Sequence, residues 1–210
     1  GESLALFRIA IGAVMVASLL AAIGPGIVEV VWIDAADGGM RRLGRGNWLV
    51  QALGGPTPAV VWGLVWTGLA AATCLTLGLL GRVSALVALQ SYAALRQLND
   101  AASGGYDTLL VNAAWLLALS GSTATLSLDA WLRTGRPATR RLVRAWPRYL
   151  AVFQLVVMYT ATGWQKASAL WTPAGGYSAL YWVLVEPTWR RAADPTFAGW
   201  LDPLLRVGTA

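Results

Sequence analysis

The sequence predicts an all-α fold: a polytopic helical membrane protein of about five transmembrane helices plus one short re-entrant or interfacial helix, in a single domain over 1–210. Three observations carry that reading. Hydrophobic residues make up 57% of the chain and charged residues 12%, where an ordinary soluble domain carries about 25% charge. Tryptophan outnumbers phenylalanine twelve to three. Asp, Glu, Lys and Arg are missing from 9–28, 46–81, 108–128, 149–165 and 167–185, and a helix needs about 20 apolar residues to cross a bilayer.

The elements follow in order. Span one covers Leu4 to Ile23 and stops at Gly24-Pro25-Gly26, which cannot continue a helix. Its apolar run is too long for a cleavable signal peptide, and no processing-like site follows it. A long connection, 27–58, places Asp34, Asp37, Arg41, Arg42 and Arg45 among glycines, and Trp48 to Leu53 suits an interfacial position. Span two covers Ala59 to Leu80. Gly81-Arg82 turns the chain into span three, Val83 to Leu98, with Arg96 near its end. The polar residues 99–105 lead to span four, Tyr106 to Leu119. A mixed segment, 120–148, ends in a run of arginines before span five, Tyr149 to Ala169. Thr172-Pro173 reads as an N-cap followed by proline at the first helical position. The helix it opens, 173–186, is about 21 Å long at 1.5 Å per residue, too short to span alone.

Arginines set the orientation. Arg133, Arg136, Arg140, Arg141, Arg144 and Arg148 lie in one connection, which the positive-inside rule makes cytoplasmic. With Arg8 and Arg82 the inner set has eight arginines, against four (Arg41, Arg42, Arg45 and Arg96) in the outer connections before span five. The N-terminus is then inside, and the 27–58 and 99–105 connections and Lys166 lie outside. Arginine-, alanine- and glycine-rich usage with short loops suggests a bacterial cytoplasmic membrane. The 133–148 run also suits contact with anionic lipid, so membrane lipids are expected partners.

Composition excludes several chemistries. Without histidine there is no His-based triad, His-ligated haem or imidazole zinc site. The single cysteine, Cys74, rules out a disulfide within the chain, and no metal site is expected. No phosphate-cradling glycine loop is present. The net charge of +6 is spread over membrane flanks, so nucleic acid is not an expected partner.

Lys166 is the only lysine beside fifteen arginines. Burial can depress a lysine enough to make it a base, which arginine does not allow. It sits in Gly163-Trp164-Gln165-Lys166, and the bland alternative is a lysine snorkelling from a helix end. Arg8, a turn into span one, reads as an anchor at the inner leaflet or as the partner of a buried acid or anionic head group. Asp107 follows Gly104-Gly105-Tyr106 and suits a helix start, and Asn99 and Asp100 suit a cap or turn. These groups share one membrane face with Lys166, so Asp100 or Asp107 is its expected partner. Trp164, Trp171, Tyr177, Tyr181 and Trp182 surround the same level. They read as an aromatic belt or as an aromatic slot for a quinone or lipid ring. Spans three to five with the 173–186 helix are expected to enclose that cavity, with Lys166 in its wall.

Several segments resemble a known family. Leu4-Ala5-Leu6-Phe7-Arg8-Ile9 is similar to the opening of the horizontally transferred transmembrane (HTTM) domain, which also forms the membrane part of vitamin K-dependent gamma-carboxylases. Asp34 to Arg42 (DAADGGMRR) is similar to that family's first outer loop. Gly104 to Leu119, with Tyr106, Asp107 and Trp115, resembles its fourth-span entry. Thr162 to Tyr181, with G-x-x-K, Trp171, Gly176 and Tyr177, resembles the carboxylase stretch bearing the catalytic lysine. The resemblance implies a quinol- or lipid-sized cavity, with Lys166 as a base on a quinol beside Tyr106 and Asp107. The carboxylases also use a histidine near the fourth-span entry, where this chain has Gly105, Tyr106 and Asp107. They carry a large lumenal substrate-binding portion, while this sequence stops at Ala210. The expectation is therefore a non-catalytic scaffold or accessory subunit associated with other membrane-protein subunits. A quinol-dependent carboxylase- or oxidoreductase-like enzyme is the alternative.

Overall fold

The computed structural model describes residues 1–44, 46–99, 102–138, 142–176 and 178–179. The chain divides into two compact units, Gly1–Ala151 and Val152–Ala210. Among the described residues all regular structure is helical: α1 (Glu2–Ile23), α2 (Ile27–Trp32), α3 (Trp48–Ala52), α4 (Pro58–Leu77), α5 (Gly81–Leu98), α6 (Gly105–Leu119), α7 (Leu128–Thr134) and α8 (Trp146–Gln165), with short 3-10 turns between.

In the first unit α4 packs on both α1 and α5, and α6 packs on α5. The contact stripe on α1 is Ala5, Arg8, Gly12, Met15, Leu19 and Ala22, the three- and four-residue spacing that puts side chains on one helical face. It meets Val61, Leu64, Val65 and Ala72 of α4, and the core continues through Ala88, Tyr92 and Leu95 of α5. A helix that is apolar all round and only partly covered suits lipid rather than water. The most apolar windows of α1 and α4 are 28% and 39% buried. Both are long and apolar enough to cross a membrane.

These are two of the five expected spans. α5 carries Arg82 and Arg96 and a polar stripe of Ser84, Ser91 and Tyr92 buried against its neighbours, which lowers its mean hydropathy. α6 is apolar but has 15 residues, about 22 Å of helix. α8 has the length, but Trp146, Arg148, Gln154 and Gln165 dilute its apolar run. The expected tight turn at Gly81-Arg82 lies slightly earlier, at Gly78 to Leu80, and Gly81 opens α5. Pro173 opens a single 3-10 turn, Pro173–Gly175. The Thr172 hydroxyl donates to Ala169 O at 2.7 Å instead of capping that turn. Most of the expected 173–186 helix lies outside the described residues, as do Arg45, Arg140 and Arg141.

The 27–58 connection is ordered around Asp34. Its Oδ1 accepts from Ala36 N at 2.9 Å and its Oδ2 from Leu43 N at 2.7 Å, so one side chain closes the loop that holds the DAADGGMRR sequence. Those two amides, with a smaller contribution from Arg42, hold the Asp34 carboxyl below the usual carboxylate range. Gly39 is required because a Cβ there would fall on the Ile33 carbonyl. Further on, Asn47 caps α3 by accepting from Val50 N at 3.1 Å.

Arg8 organises the opposite end of the first unit. It lies six residues after the start of α1, about 9 Å along the axis, and its side chain is fully buried. Nη1 donates to Ser122 O at 2.9 Å and Nη2 to Leu126 O at 2.6 Å. Its hydrogen-bond partners are main-chain carbonyls, and the nearby Asp129 supplies an electrostatic contact with an acid. Ser120, Ser122, Thr125 and Ser127 of the same segment are buried. Buried main-chain carbonyls need donors, and Arg8 satisfies two. Gly78 makes room for it, since a Cβ there would come within 2.6 Å of Arg8 Nη1, and its φ of +73° favours glycine.

Candidate functional site

α1 and α5 end where α6 begins, and a cavity of about 230 Å³ opens there. Ser18, Trp32, Tyr92, Arg96, Tyr106 and Asp107 line it. α5 delivers Tyr92 from its buried stripe, and α6 delivers Asp107 from its first turn. The Tyr92 hydroxyl donates to Asp107 Oδ1 at 2.6 Å, and Gly104 N donates to Oδ2 at 2.7 Å. An acidic side chain three residues into a helix commonly reaches back to the amide before it, and the positive end of the helix dipole favours it there.

Asp107 is 4% exposed, yet a carboxyl offers about four acceptor positions and these two bonds occupy half of them. Among the described residues that leaves about two acceptor positions on a carboxyl that lines the cavity. One turn beyond Tyr92, Arg96 Nη1 donates to Thr108 Oγ1 at 2.8 Å, cross-linking α5 to α6. Asn99 Nδ2 donates to Val31 O at 3.0 Å, tying the end of α5 to α2. Tyr106 stands on the rim, 58% exposed. This wall is built to hold one aromatic hydroxyl and one carboxyl group in fixed register beneath an apolar opening.

The expected site residues fall into three sets. Tyr106 and Asp107 come together at this cavity. Lys166, Trp164 and Trp171 belong to the second unit, where the Lys166 Nζ lies 5.3 Å from the centroid of the Trp171 ring and the side chains of Lys166 and Trp164 are exposed. Tyr177, Tyr181, Trp182 and Asp100 lie outside the described residues. The cavity expected among spans three to five and the 173–186 helix falls largely outside the described residues; the cavity that Tyr106 and Asp107 line is framed by α1, α2, α5 and the start of α6. Asp107, expected to partner Lys166, is hydrogen-bonded by Tyr92 and Gly104.

Sequence reasoning passed over Tyr92, the donor of the pair. Its signal was faint: a hydroxylated aromatic one residue after Ser91, in a helix whose other aromatic positions are empty. Asp129 was missed as well. It accepts from Leu80 N at 3.0 Å and Gly81 N at 3.2 Å, capping α5 from a distant helix and holding Leu80 in a left-handed conformation, φ 53°.

Residues 1–189 match the family model of the HTTM domain. The chain belongs to the HTTM family. No curated protein and no solved structure matches it. The HTTM match takes in all four stretches that carried the resemblance, including the Asp34 loop, the Tyr106-Asp107 entry and the Lys166 region up to Tyr181. It also runs through both compact units. Among the described residues no group of three or more His, Cys, Asp or Glu is placed to hold a metal ion.

Proposed function

We propose that this HTTM-family chain is a five-span protein of a bacterial cytoplasmic membrane, with its N-terminus inside, acting as a non-catalytic scaffold or accessory subunit. Its outward cavity holds the ring or head group of an amphipathic molecule of the quinone or lipid class. The carrying observation is the buried Tyr92–Asp107 pair in the cavity wall. Ligand pockets for drug-sized molecules run from about 300 Å³ upward. At about 230 Å³ this one suits a single ring or head group whose chain stays among lipids. A hydroxyl on that ring is the donor the Asp107 wall accepts.

The five-span reading draws support from α5 and α6. Arg82 and Arg96 stand near opposite ends of α5, where long basic side chains reach the two interfaces. The apolar α6 packs on it, and the family match across both units supports a single domain. Lys166 supports the non-catalytic reading, since its side chain is exposed beside the Trp171 ring, its Nζ 5.3 Å from the centroid. Association with other membrane proteins would place this chain as the ligand-holding partner.

The test is lipid-extract mass spectrometry on protein purified in mild detergent, wild type beside Asp107→Asn and Lys166→Met. The expected result is a co-purifying quinone or lipid that is depleted in Asp107→Asn and retained in Lys166→Met. No enriched amphiphile, or equal retention in Asp107→Asn, would overturn the cavity assignment. For topology, Cys74 is replaced and single cysteines are placed at Ser103 and Arg136. An impermeant reagent on intact cells should label position 103 alone, and labelling of 136 alone would reverse the orientation.

A further inference from the structure

At the other end of the first unit a second cavity, about 730 Å³, lies between the first turn of α5, the end of α6, α7 and residues 142–147. Arg82, Arg133 and Arg144 line it, with Asp129 as the acid on its wall. Asp129 accepts from the amides of Leu80 and Gly81, and three arginines against this one carboxylate leave the wall net positive. Arg133 is held in place: Nε donates to Asp129 O at 3.0 Å and Nη2 to Thr123 O at 2.9 Å. A guanidinium has five N–H donors, and these bonds leave three for an anion. The rim is apolar: Leu80, Leu119 and Leu142 are each more than half exposed, and Trp146 lies beside them.

We propose that this cavity binds the phosphate group of an anionic phospholipid, with Arg82, Arg133 and Arg144 on the phosphate and the leucine rim against the acyl chains. Three guanidinium groups around one recess match a phosphate by charge and by paired donors. The apolar rim is what distinguishes a lipid from free phosphate, which has no chain to place there. The proposal rests on the membrane reading above, and it involves no residue of the Tyr92–Asp107 cavity.

The test is native mass spectrometry of the whole chain released from micelles holding equal phosphatidylglycerol and phosphatidylcholine. Wild type is expected to retain phosphatidylglycerol selectively. A basic residue near an anionic surface contributes about fivefold in affinity, so Arg82→Gln and Arg144→Gln should each lower retention about fivefold, and together about 25-fold. Neither side chain is one of those tying the fold together, and helical circular dichroism checks that the variants are folded. Arg136→Gln, on the same membrane face but outside the cavity wall, should leave retention unchanged. Equal retention of the two lipids by wild type would overturn the proposal. So would an Arg136→Gln loss as large as that of Arg82→Gln, which would mean diffuse surface charge. Displacement of the lipid by millimolar inorganic phosphate would assign the site to free phosphate and overturn the lipid assignment. Quinone retention, read in the same spectra, should be untouched by these variants, which separates failure here from failure of the outward cavity.

Discussion

Replacing Arg8 by methionine keeps the length and apolar stem of the side chain and removes its two bonds to Ser122 O and Leu126 O. Hydrogen bonds to charged groups contribute about 1.5–3 kcal/mol each, so losing both costs about 3–6 kcal/mol and leaves two buried carbonyls without a donor. Against this, the variant no longer buries a guanidinium, which costs about 2.5–3.5 kcal/mol at the centre of a membrane helix. With the low values set against each other and the high values likewise, the balance is a net loss of about 0.5–2.5 kcal/mol. Arg8→Lys should fall between methionine and wild type, because one ammonium on a flexible stem does not reproduce a planar fork spanning two carbonyls. The assay is reversible unfolding in mixed micelles titrated with sodium dodecyl sulfate, followed by helical circular dichroism. Hydrogen exchange should rise in 120–127 before it rises in α4. If Arg8→Met unfolds within about 0.5 kcal/mol of wild type, the size of an ordinary surface substitution, then Arg8 does not hold the segment and the reasoning fails.

Tyr92→Phe should cost about 1–3 kcal/mol in the same titration by leaving the buried Asp107 Oδ1 without its donor, and it should reduce amphiphile retention. Asp129→Ala frees the Leu80 and Gly81 amides and should cost about 1 kcal/mol, as loss of a helix cap does, with exchange rising first in the initial turn of α5. Gly78→Ala should be worse than a simple loss of flexibility, because the new methyl meets the Arg8 guanidinium; a neutral outcome in the titration would show the helix ends are not packed as described. Asp34 is held below its ordinary range in the folded loop, so its contribution is complete above the unfolded carboxyl value, about 3.9, and is lost as pH falls through the lower folded value. Exchange at the Ala36 and Leu43 amides should therefore accelerate below about pH 3.9 in wild type, and in Asp34→Asn the acid step should be missing.

The helix starts and stops were legible because they rest on local chemistry. Gly24-Pro25-Gly26 ends α1, Thr57-Pro58 opens α4 with a side-chain cap, and Gly104 to Asp107 opens α6. Two of the expected spans, Leu4 to Ile23 and Ala59 to Leu80, became helices long and apolar enough to cross a membrane. That Tyr106 and Asp107 stand together at the start of α6 was legible because a turn and a carboxyl group adjoin there in the chain. The features that were not legible depend on residues far apart. Tyr92 acquires its meaning from a residue fifteen positions later. Asp129 acts on amides 48 and 49 positions earlier. The fate of Arg8 turns on carbonyls that any sequence would supply, and composition says nothing about where a carbonyl will point. The polar stripe on α5 lowers its mean hydropathy although its bounds were legible, since hydropathy averages over faces that the bundle treats differently.

The bond from Arg8 to Leu126 joins residues 118 positions apart, and this has a consequence for how the protein is made. Ribosomes add about 5–20 residues per second, so about 6–24 seconds separate synthesis of the arginine from synthesis of its carbonyl partner. Throughout that interval α1 has to enter the membrane with a cation it cannot yet satisfy. Until then its N–H donors have to be met by water or head groups at the interface. Only when the chain beyond α6 arrives can Arg8 reach its partners, so contacts made by an early helix are among the last to form.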